Sequence, residues 1–204
     1  MSTMSGRNHP GRVLVLAITT TLVALVSSCG EKGTAGFQER AQAAGIAFRM
    51  NNLPREQGER FRINLYDHGS GLAVGDYDND GRDDIYFLNQ HGTNALYHNV
   101  GNGSFVDVTA KAGVALGDRI SVAATFADYD NDGFADLFVT STRGGNILFH
   151  NRGDGTFEDV TSAAGVSHTG HSQTPVFFDY DNDGDLDLYL TNTAHWTTDV
   201  FDFA

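Results

Sequence analysis

The sequence predicts an all-β fold, a partial β-propeller of about three four-stranded blades. Three observations support this prediction. An acidic nine-residue loop recurs, starting at residues 76, 128 and 179, so the repeat steps are 52 and 51 residues. Each step has room for four short β-forming runs, and four strands in about 50 residues is the size of a propeller blade. The chain contains 24 Gly and only 3 Pro, which indicates turns rather than long helices.

The first repeat shows its elements in order along the chain. The four β-forming runs are "GLAVGD" at 71–76, "DIYFLN" at 84–89, "NALYHN" at 94–99 and "SFVDVT" at 104–109. The first run enters the acidic loop and the second leaves it. We expect Asn102-Gly103, and Asp154-Gly155 in the next repeat, to form hairpin turns between the last two runs, because both residues of each pair tolerate positive φ.

The repeat extends beyond the acidic loops. The segments "LYHNVGNGSFVDVTAKAGV" at 96–114 and "LFHNRGDGTFEDVTSAAGV" at 148–166 share most of their residues, and a partial copy, "FQERAQAAGI", precedes them at 37–46. A short helical turn fits the "VTAKAGV" part. The alternative architecture is a β-solenoid, but solenoid repeats are usually shorter, about 20–30 residues.

The N-terminal residues form a separate unit. Arg7 and Arg12 precede an uncharged, mostly apolar stretch at 13–26. A membrane span needs about 20 residues, so this stretch fits the apolar region of a secretory signal better. We therefore expect residues 1–28 to be a signal peptide, 29–36 a flexible tether, and 37–204 an incomplete set of β-propeller repeats.

The chain has a single cysteine, and its context is informative. "VSSCG" at 26–30 resembles the lipobox of bacterial lipoproteins, which implies lipidation of Cys29 and cleavage just before it. A lipid anchor of this kind would hold the protein at the membrane without a transmembrane helix. The alternative is an ordinary signal peptide cut near Ser28, with Cys29 incidental. With Cys29 lipidated, no disulfide is available to stabilise the exported domain.

The composition limits the partners. The formal net charge of the 204-residue chain is −13, with 26 acidic residues against 13 Lys and Arg. This excess argues against nucleic acid, because a phosphate backbone needs Lys and Arg opposite it. It favours cations.

The three acidic loops share the pattern D-x-D-x-D-G-x-x-D, which predicts a cation site in each. Alternate carboxylates at positions 1, 3 and 5 aim at one point, the glycine at position 6 permits the sharp turn, position 7 offers its backbone carbonyl, and position 9 adds a fourth carboxylate. The predicted ligand residues are Asp76, Asp78, Asp80, Arg82 and Asp84; Asp128, Asp130, Asp132, Phe134 and Asp136; and Asp179, Asp181, Asp183, Asp185 and Asp187.

An all-oxygen, flexible cage suits Ca²⁺, so we predict about three calcium ions, one per loop. Mg²⁺ prefers a tighter octahedron that keeps its waters, and Zn²⁺ prefers His or Cys, which the loops lack. These are not EF-hands, because position 12 is Phe87, Val139 or Leu190 rather than Glu. The alternative is an Asp-rich turn without an ion, but three loops in register make that reading less favoured.

The repeats "GDYDNDGRDDIYFLN" and "LYHNVGNGSFVDVTAKAGV" resemble the FG-GAP/VCBS repeats of calcium-binding β-propellers, and in particular those of the ASPIC/UnbV-type family related to cartilage acidic protein. The resemblance covers about residues 37–193. It implies a seven- or eight-bladed ring, calcium in the hairpin loops and an extracellular location. Three repeats do not fill such a ring, so we expect this chain to be a fragment of one.

Two sets of aromatic residues recur with the repeat. His98 and His150 share one repeat position, and Tyr77, Tyr129 and Tyr180 share position 2 of the loops. We expect both sets to pack between blades, since repeat-conserved aromatic side chains supply core area.

The sequence favours a non-enzymatic function. No nucleophile elbow, P-loop or metalloprotease motif is present. We predict an exported, lipid-anchored module of the bacterial cell envelope, an outer-membrane lipoprotein facing the periplasm or the surface. It would bind a protein or glycan at the cell surface and touch the membrane only through its lipid. The alternatives are a glycan-active or other exported enzyme, and a calcium-stabilised structural piece with no separate activity.

Overall fold

A computed structural model describes residues 37–51 and 71–193. The chain divides into two units at Glu39, and only residues 37–39 of the first unit are described. The predicted signal peptide, Cys29 and the tether lie outside the described residues. Within the described ranges, no helix is long and apolar enough to cross a membrane.

The second unit is all-β apart from one short helix among the described residues. Its elements are β1 Leu72–Gly75, β2 Asp84–Phe87, β3 Ala95–Gly101, β4 Ser104–Asp107, α1 Thr109–Ala112, β5 Ile120–Ala127, β6 Asp136–Arg143, β7 Ile147–Asn151, β8 Phe157–Asp159, β9 Ser172–Phe178 and β10 Asp187–Asn192. Every strand pairing is antiparallel.

The strands form three separate sheets, one per repeat. The order is β1-β2-β3-β4 in the first sheet, β5-β6-β7-β8 in the second and β9-β10 in the third. The prediction of four short strands per repeat is confirmed in the first two sheets. Sequential antiparallel order follows from short hairpin connections, which are the cheapest way to join neighbouring strands.

A tight turn after the fourth strand also repeats. Helix α1 ends at Gly113, whose φ of 81° lies in the left-handed region that favours glycine. Residues 41–45 and 161–165 form the same turn, and they end at Gly45 and Gly165, with φ of 84° and 71°. The partial copy predicted at 37–46 is therefore present as structure.

One hairpin turn follows the prediction and the other differs. Asn102 and Gly103 both have positive φ, 55° and 71°, as expected. In the second repeat, Gly153 and Gly155 have positive φ, at 69° and 81°, whereas Asp154 does not. Asp154 instead accepts hydrogen bonds from the backbone and hydroxyl of Thr156, which hold the turn in another form.

The hydrophobic core joins the first two repeats. Tyr86, Leu96, Leu137 and Val114 are fully buried in one cluster. Full burial of one such side chain stabilises the fold by roughly 1.5–3 kcal/mol. The cluster lies between sheets, so each repeat buries its apolar side chains against its neighbour rather than within itself.

Candidate metal centres

The three acidic loops occupy equivalent places. Loop 1 (residues 76–84) joins β1 to β2, loop 2 (128–136) joins β5 to β6, and loop 3 (179–187) joins β9 to β10. Each connects the first and second strands of its sheet, so all three lie at the same end of their sheets. The strands supply fixed anchors on both sides of each loop.

The aspartate at position 1 closes each loop on itself. Asp76 accepts hydrogen bonds from the backbone N–H of Asp80 at 3.1 Å and of Gly81 at 2.8 Å. Asp128 and Asp179 accept the equivalent pairs at 3.0–3.1 Å. The chain can turn this sharply because the glycine at position 6 has φ of 83° to 97° in all three loops.

The aspartate at position 9 ties each loop back to its start. One oxygen of Asp84 accepts the backbone N–H of Tyr77 at 3.2 Å, and Asp136 accepts that of Tyr129 at 3.1 Å. Asp187 does the same for Tyr180 at 2.9 Å. Asp84 and Asp136 are 0% and 1% exposed, which is unusual for carboxylates.

Three carboxylates converge in every loop. The ligand oxygens of positions 1, 3 and 9 lie within 4.8 Å of one another in each loop. Oxygens on a Ca²⁺ ion at 2.3–2.6 Å are at most about 4.6–5.2 Å apart, so this spread fits one ion. The three convergent groups are Asp76, Asp78 and Asp84; Asp128, Asp130 and Asp136; and Asp179, Asp181 and Asp187.

The position-5 aspartates behave differently. Asp80 and Asp132 gather with the position-3 aspartate and a histidine of their own repeat. Each position-5 aspartate, including Asp183, accepts the backbone N–H of position 7, at 2.8–3.0 Å. The geometry places position 5 beside the convergent group, so its role as a fourth carboxylate ligand stays a prediction.

The residues present fit a hard divalent cation. The donor set of positions 1, 3 and 9 is all oxygen, the chemistry that Ca²⁺ prefers. One oxygen of Asp78 is buried and has no hydrogen-bond partner among the described residues. A buried carboxylate oxygen without a partner carries a desolvation cost that a bound cation would offset.

The electrostatics of position 9 are consistent with this fit. Burial, with a smaller contribution from the neighbouring Asp130 charge, raises the pKa of Asp136 to about 6, although the hydrogen bonds from Asn151 and Tyr129 act to lower it. Burial raises the pKa of Asp84 in the same way. Without a nearby positive charge, these carboxylates resist ionisation, and a cation removes that penalty.

Histidines from the third strands reach the first two loops. The Nδ1 atom of His98 lies 3.1 Å from Asp84 and 3.3 Å from Asp78. The Nδ1 atom of His150 lies 3.3 Å from Asp136 and 3.2 Å from Asp130. We predicted packing between blades for these residues and treated the loops as free of histidine. The shared repeat position was the available signal, but spacing along the chain does not show that β3 and β7 bring an imidazole to each loop.

The side chains at position 7 differ in their contacts. The Arg82 guanidinium pairs with Asp80 of its own loop and donates to the carbonyl of Asn99 at 2.6 Å. The Phe134 ring packs close to Gly153. Asp185 accepts a hydrogen bond from Asn131 at 2.9 Å. The predicted use of the three backbone carbonyls as ligands stays a prediction.

Consecutive loops are linked to each other. The side-chain amide of Asn79 in loop 1 donates to the carbonyl of Gly133 in loop 2 at 2.7 Å. The amide of Asn131 in loop 2 makes the equivalent but longer contact with the carbonyl of Gly184 in loop 3, at 3.5 Å, and also donates to the side chain of Asp185 at 2.9 Å. Both asparagines have φ of 59°, so each loop presents its position-4 side chain in the same left-handed conformation.

The tyrosines at position 2 show how packing depends on the next repeat. Tyr77 is 3% exposed and packs against Phe157 of the second repeat, with ring centroids 5.8 Å apart. The predicted packing between repeats is thus confirmed for Tyr77. Tyr180, at the same position of loop 3, is 74% exposed.

Comparison with known families matches this repeat directly. The model of the FG-GAP-like repeat matches residues 76–139 and 128–190. The chain belongs to the FG-GAP-like repeat family. Each match begins at position 1 of an acidic loop and ends in the second strand of the following sheet, so the family unit contains both the loops and the strands that hold them.

The FG-GAP-like repeats are similar to those of cartilage acidic protein 1. The Xenopus tropicalis protein is 30% identical over 149 residues, which cover 72% of this chain. The Mus musculus and Homo sapiens proteins are 32% and 31% identical over 136 residues, 65% of this chain. The aligned part is 20–22% of each relative, so the chain spans about a fifth of the length of the curated relatives it matches.

Proposed function

We propose that this FG-GAP-like repeat protein is an exported binding or scaffold module whose repeats are held together by calcium. The observation that carries the proposal is the convergence of three carboxylates in each of three equivalent loops. The carboxylates at positions 1, 3 and 9 would hold each ion, with position 5 and the position-7 carbonyl completing the cage. The repeats and the relatives point to a non-catalytic repeat protein.

Calcium would act mainly on stability. Extracellular calcium modules bind with Kd near 10⁻⁴–10⁻³ M. At a Kd of ~0.1 mM and ~1 mM calcium, each site stabilises the fold by roughly 1.4 kcal/mol. Because the loops also contact one another through Asn79 and Asn131, bound ions would hold neighbouring repeats in a fixed relation.

The antiparallel sheets support a propeller-like arrangement in the complete protein. Each repeat has its loop at the same end and buries its apolar side chains against the next repeat, as the blades of a propeller do. The described residues supply two four-stranded sheets and the first two strands of a third. In this proposal they are consecutive blades of an arc.

Two clefts at the other end of the sheets support a separate binding face. One cleft of about 480 Å³ contains Asn146 and Thr161, and one of about 310 Å³ contains Asn94 and Thr109. The two pairs occupy the same repeat positions. Both clefts contain hydrogen-bonding groups from the connection between the second and third strands, opposite the metal loops. Asn94 and Asn146 are themselves buried and hydrogen-bonded, so a protein or glycan ligand at the cell surface would be contacted by exposed polar groups of the lining, such as Thr93 and Thr169.

The anchor in this proposal is the lipid on Cys29. The lipobox-like "VSSCG" follows an apolar stretch of signal-peptide length. Cys29→Ser should then abolish labelling of the protein by radioactive palmitate and its recovery in membranes. Labelling that persists in the variant would contradict the anchor.

Calcium titration of the purified full chain tests the proposal. Isothermal calorimetry with CaCl₂ should show about three sites, and EDTA should lower the melting temperature. Asp128→Asn should remove about one site, because Asp128 belongs to loop 2 only. Glu158→Gln makes the same charge change at an exposed surface pair and serves as the matched control. Absence of binding heat in the folded wild type would overturn the calcium assignment.

A further inference from the structure

A second group of metal-ligating side chains lies beside each of the first two loops, and it contains a histidine. In each group, one ligand atom of every residue lies within 4.8 Å of the other two. The groups are Asp78, Asp80 and His98 in the first repeat, and Asp130, Asp132 and His150 in the second. Ca²⁺ takes oxygen ligands, whereas imidazole nitrogen suits Zn²⁺ and its first-row neighbours. The nitrogen donor therefore indicates a different kind of metal ion from the one that fits positions 1, 3 and 9.

In the first repeat these donors already have partners. The Nδ1 atom of His98 is hydrogen-bonded to Oδ1 of Asp84 at 3.1 Å. The guanidinium of Arg82 pairs with Oδ2 of Asp80, and the backbone N–H of Arg82 donates to Oδ1 of Asp80 at 3.0 Å. The imidazole and the position-5 carboxylate of loop 1 are therefore satisfied without a metal ion.

In the second repeat the equivalent donors are not satisfied. The Nδ1 atom of His150 is buried and has no hydrogen-bond partner in the described part of the chain, although oxygens of Asp130 and Asp136 lie 3.2 Å and 3.3 Å away. Oδ1 of Asp132 accepts the backbone N–H of Phe134, but the Phe134 side chain carries no charge that could pair with Oδ2. A buried nitrogen without a hydrogen bond carries a desolvation cost, which a metal ion bound to it would offset.

The spacing of this group suits a small tetrahedral ion. Ligands at 2.0–2.2 Å from Zn²⁺ are about 3.3–3.5 Å apart, close to the 3.2 Å between Nδ1 of His150 and the Asp130 carboxylate. Oδ2 of Asp132 faces the same ring, 4.0 Å from its Nε2 atom. The side chains of His150, Asp130 and Asp132 are 26%, 33% and 36% exposed, so an ion can reach them from solvent.

We propose that Asp130, Asp132 and His150 form a binding site for a divalent transition metal ion of the zinc type. Nδ1 of His150 supplies the nitrogen, the two carboxylates supply oxygen, and water completes four-coordination. The site shares Asp130 with the convergent group of loop 2 but is defined by its nitrogen donor. The proposal rests on the unsatisfied donors of the second repeat and is independent of the calcium assignment.

The residue at position 7 decides which loop binds such an ion. An ion at Asp80 would have to displace the Arg82 guanidinium and would then lie beside its positive charge. Repulsion between like charges about 5 Å apart should weaken binding there by about tenfold or more. Phe134 imposes no such repulsion at Asp132. We therefore expect zinc to fill the site in loop 2 first.

Zinc titration of the calcium-free full chain tests the proposal, since Asp130 belongs to both groups in loop 2. Isothermal calorimetry with ZnCl₂ measures the affinity, and ¹⁵N NMR of the imidazole nitrogens reports which ring binds. Zn²⁺ should shift the ring nitrogens of one histidine. His150→Asn should remove that shift and weaken zinc binding by about tenfold or more, since even partners that only orient a ligand are worth 10–100-fold. His98→Asn is the matched control and should keep both.

Exchanging the residues at position 7 tests the site without removing a ligand. Phe134→Arg should weaken zinc binding by about tenfold or more, because it places a positive charge beside Asp132. Arg82→Phe should create a second site, seen as a second shifted histidine and a doubled stoichiometry. The two side chains lie near equivalent glycines, Gly153 for Phe134 and Gly101 for Arg82, so each position has room for the exchange. The far-ultraviolet circular dichroism of all variants should match that of the wild type.

Four results would overturn the proposal. They are no zinc heat up to about 1 mM ZnCl₂, zinc binding without a shift of any ring nitrogen, a shift that persists in His150→Asn, and a shift that disappears in His98→Asn. Calcium heat without a zinc-dependent ring shift would overturn this proposal alone. A ring shift in a chain that shows no calcium heat would overturn only the calcium assignment.

Discussion

The side-chain amide of Asn151 donates a hydrogen bond of 2.7 Å to the backbone carbonyl of Tyr77, in the acidic loop of the preceding repeat. The same amide donates to the carbonyl of Ala135 at 2.9 Å, and the backbone N–H of Asn151 donates to Asp136. One fully buried residue thus joins loop 1 to loop 2. The repeats are held together by such polar contacts at the loop end as well as by the apolar core.

Asn151→Ala should therefore destabilise the protein more than the same change at the equivalent Asn99. The variant leaves two carbonyls without their donor, and a buried unsatisfied group costs about 1–3 kcal/mol. Asn99 donates within its own repeat, to Asp83 at 3.0 Å in an exposed setting, so Asn99→Ala should cost less. Urea unfolding in excess calcium measures both. Equal losses would show that the contact between repeats contributes nothing.

Tyr86→Phe should destabilise the first repeat, whose Tyr86 lies in the core cluster shared with the second. The Tyr86 hydroxyl donates to the carbonyl of Val114 at 2.6 Å and accepts from the amide of Asn94 at 3.0 Å, and the residue is fully buried. Removing the hydroxyl leaves both partners in an apolar environment and should cost about 1–3 kcal/mol. Tyr180→Phe removes a hydroxyl from a residue that is 74% exposed and should change the free energy of unfolding very little. An unchanged free energy of unfolding in Tyr86→Phe would contradict this prediction.

The free energy of unfolding of the calcium-free protein should depend on pH through the titration of Asp136. The pKa of Asp136 is about 6 in the folded protein, above the value of 3.8 for an unperturbed Asp. The folded state therefore holds a proton that the unfolded state has released between about pH 4 and pH 6. The contribution of this group is fully present below pH 3.8 and is lost as pH rises through 6.

Urea midpoints in EDTA, measured between pH 4 and pH 7, check this sign. The amide side chain of the Asp136→Asn variant cannot titrate. The urea midpoint of the wild type should therefore fall relative to that of the variant as pH rises. The hydrogen bonds that the variant disturbs add a constant offset, which does not change the slope. A difference that grows in favour of the wild type at higher pH would show that Asp136 is ionised at low pH in the folded state.

The asparagine at position 4 of loop 2 should couple that loop to loop 3. Asn131→Gly removes the hydrogen bond to Asp185 while keeping a residue that tolerates the φ of 59°. We expect the melting temperature in CaCl₂ to fall by an amount equivalent to about 0.5–1 kcal/mol. Asn182→Gly is the matched control, because Asn182 has φ of 62° in loop 3 and no further loop follows among the described residues. Equal effects of the two variants would show that the hydrogen bond between loops 2 and 3 contributes nothing to stability.

Much of the repeat was predictable because its signals are local. The φ of Gly81, Gly133 and Gly184 follows from glycine at position 6. The turn at Asn102-Gly103 follows from the preference of those residues for positive φ. The β-forming runs and the 52-residue step were enough to predict four short strands per repeat, which the first two sheets have. Convergence of Asp76 and Asp78 was expected from their spacing, and the structure places both with Asp84.

What the sequence determined by itself is the content of one repeat: its strands, its turns and the carboxylates of its loop, all of which depend on residues a few positions apart. Tertiary structure decided which side chains meet from different strands and different repeats. It brought His98 beside Asp84 and the Asn151 amide to Tyr77, and it buried Tyr86 while leaving Tyr189 exposed. The physical reason is that burial and electrostatic environment depend on neighbouring strands and sheets, which residues a few positions apart do not specify.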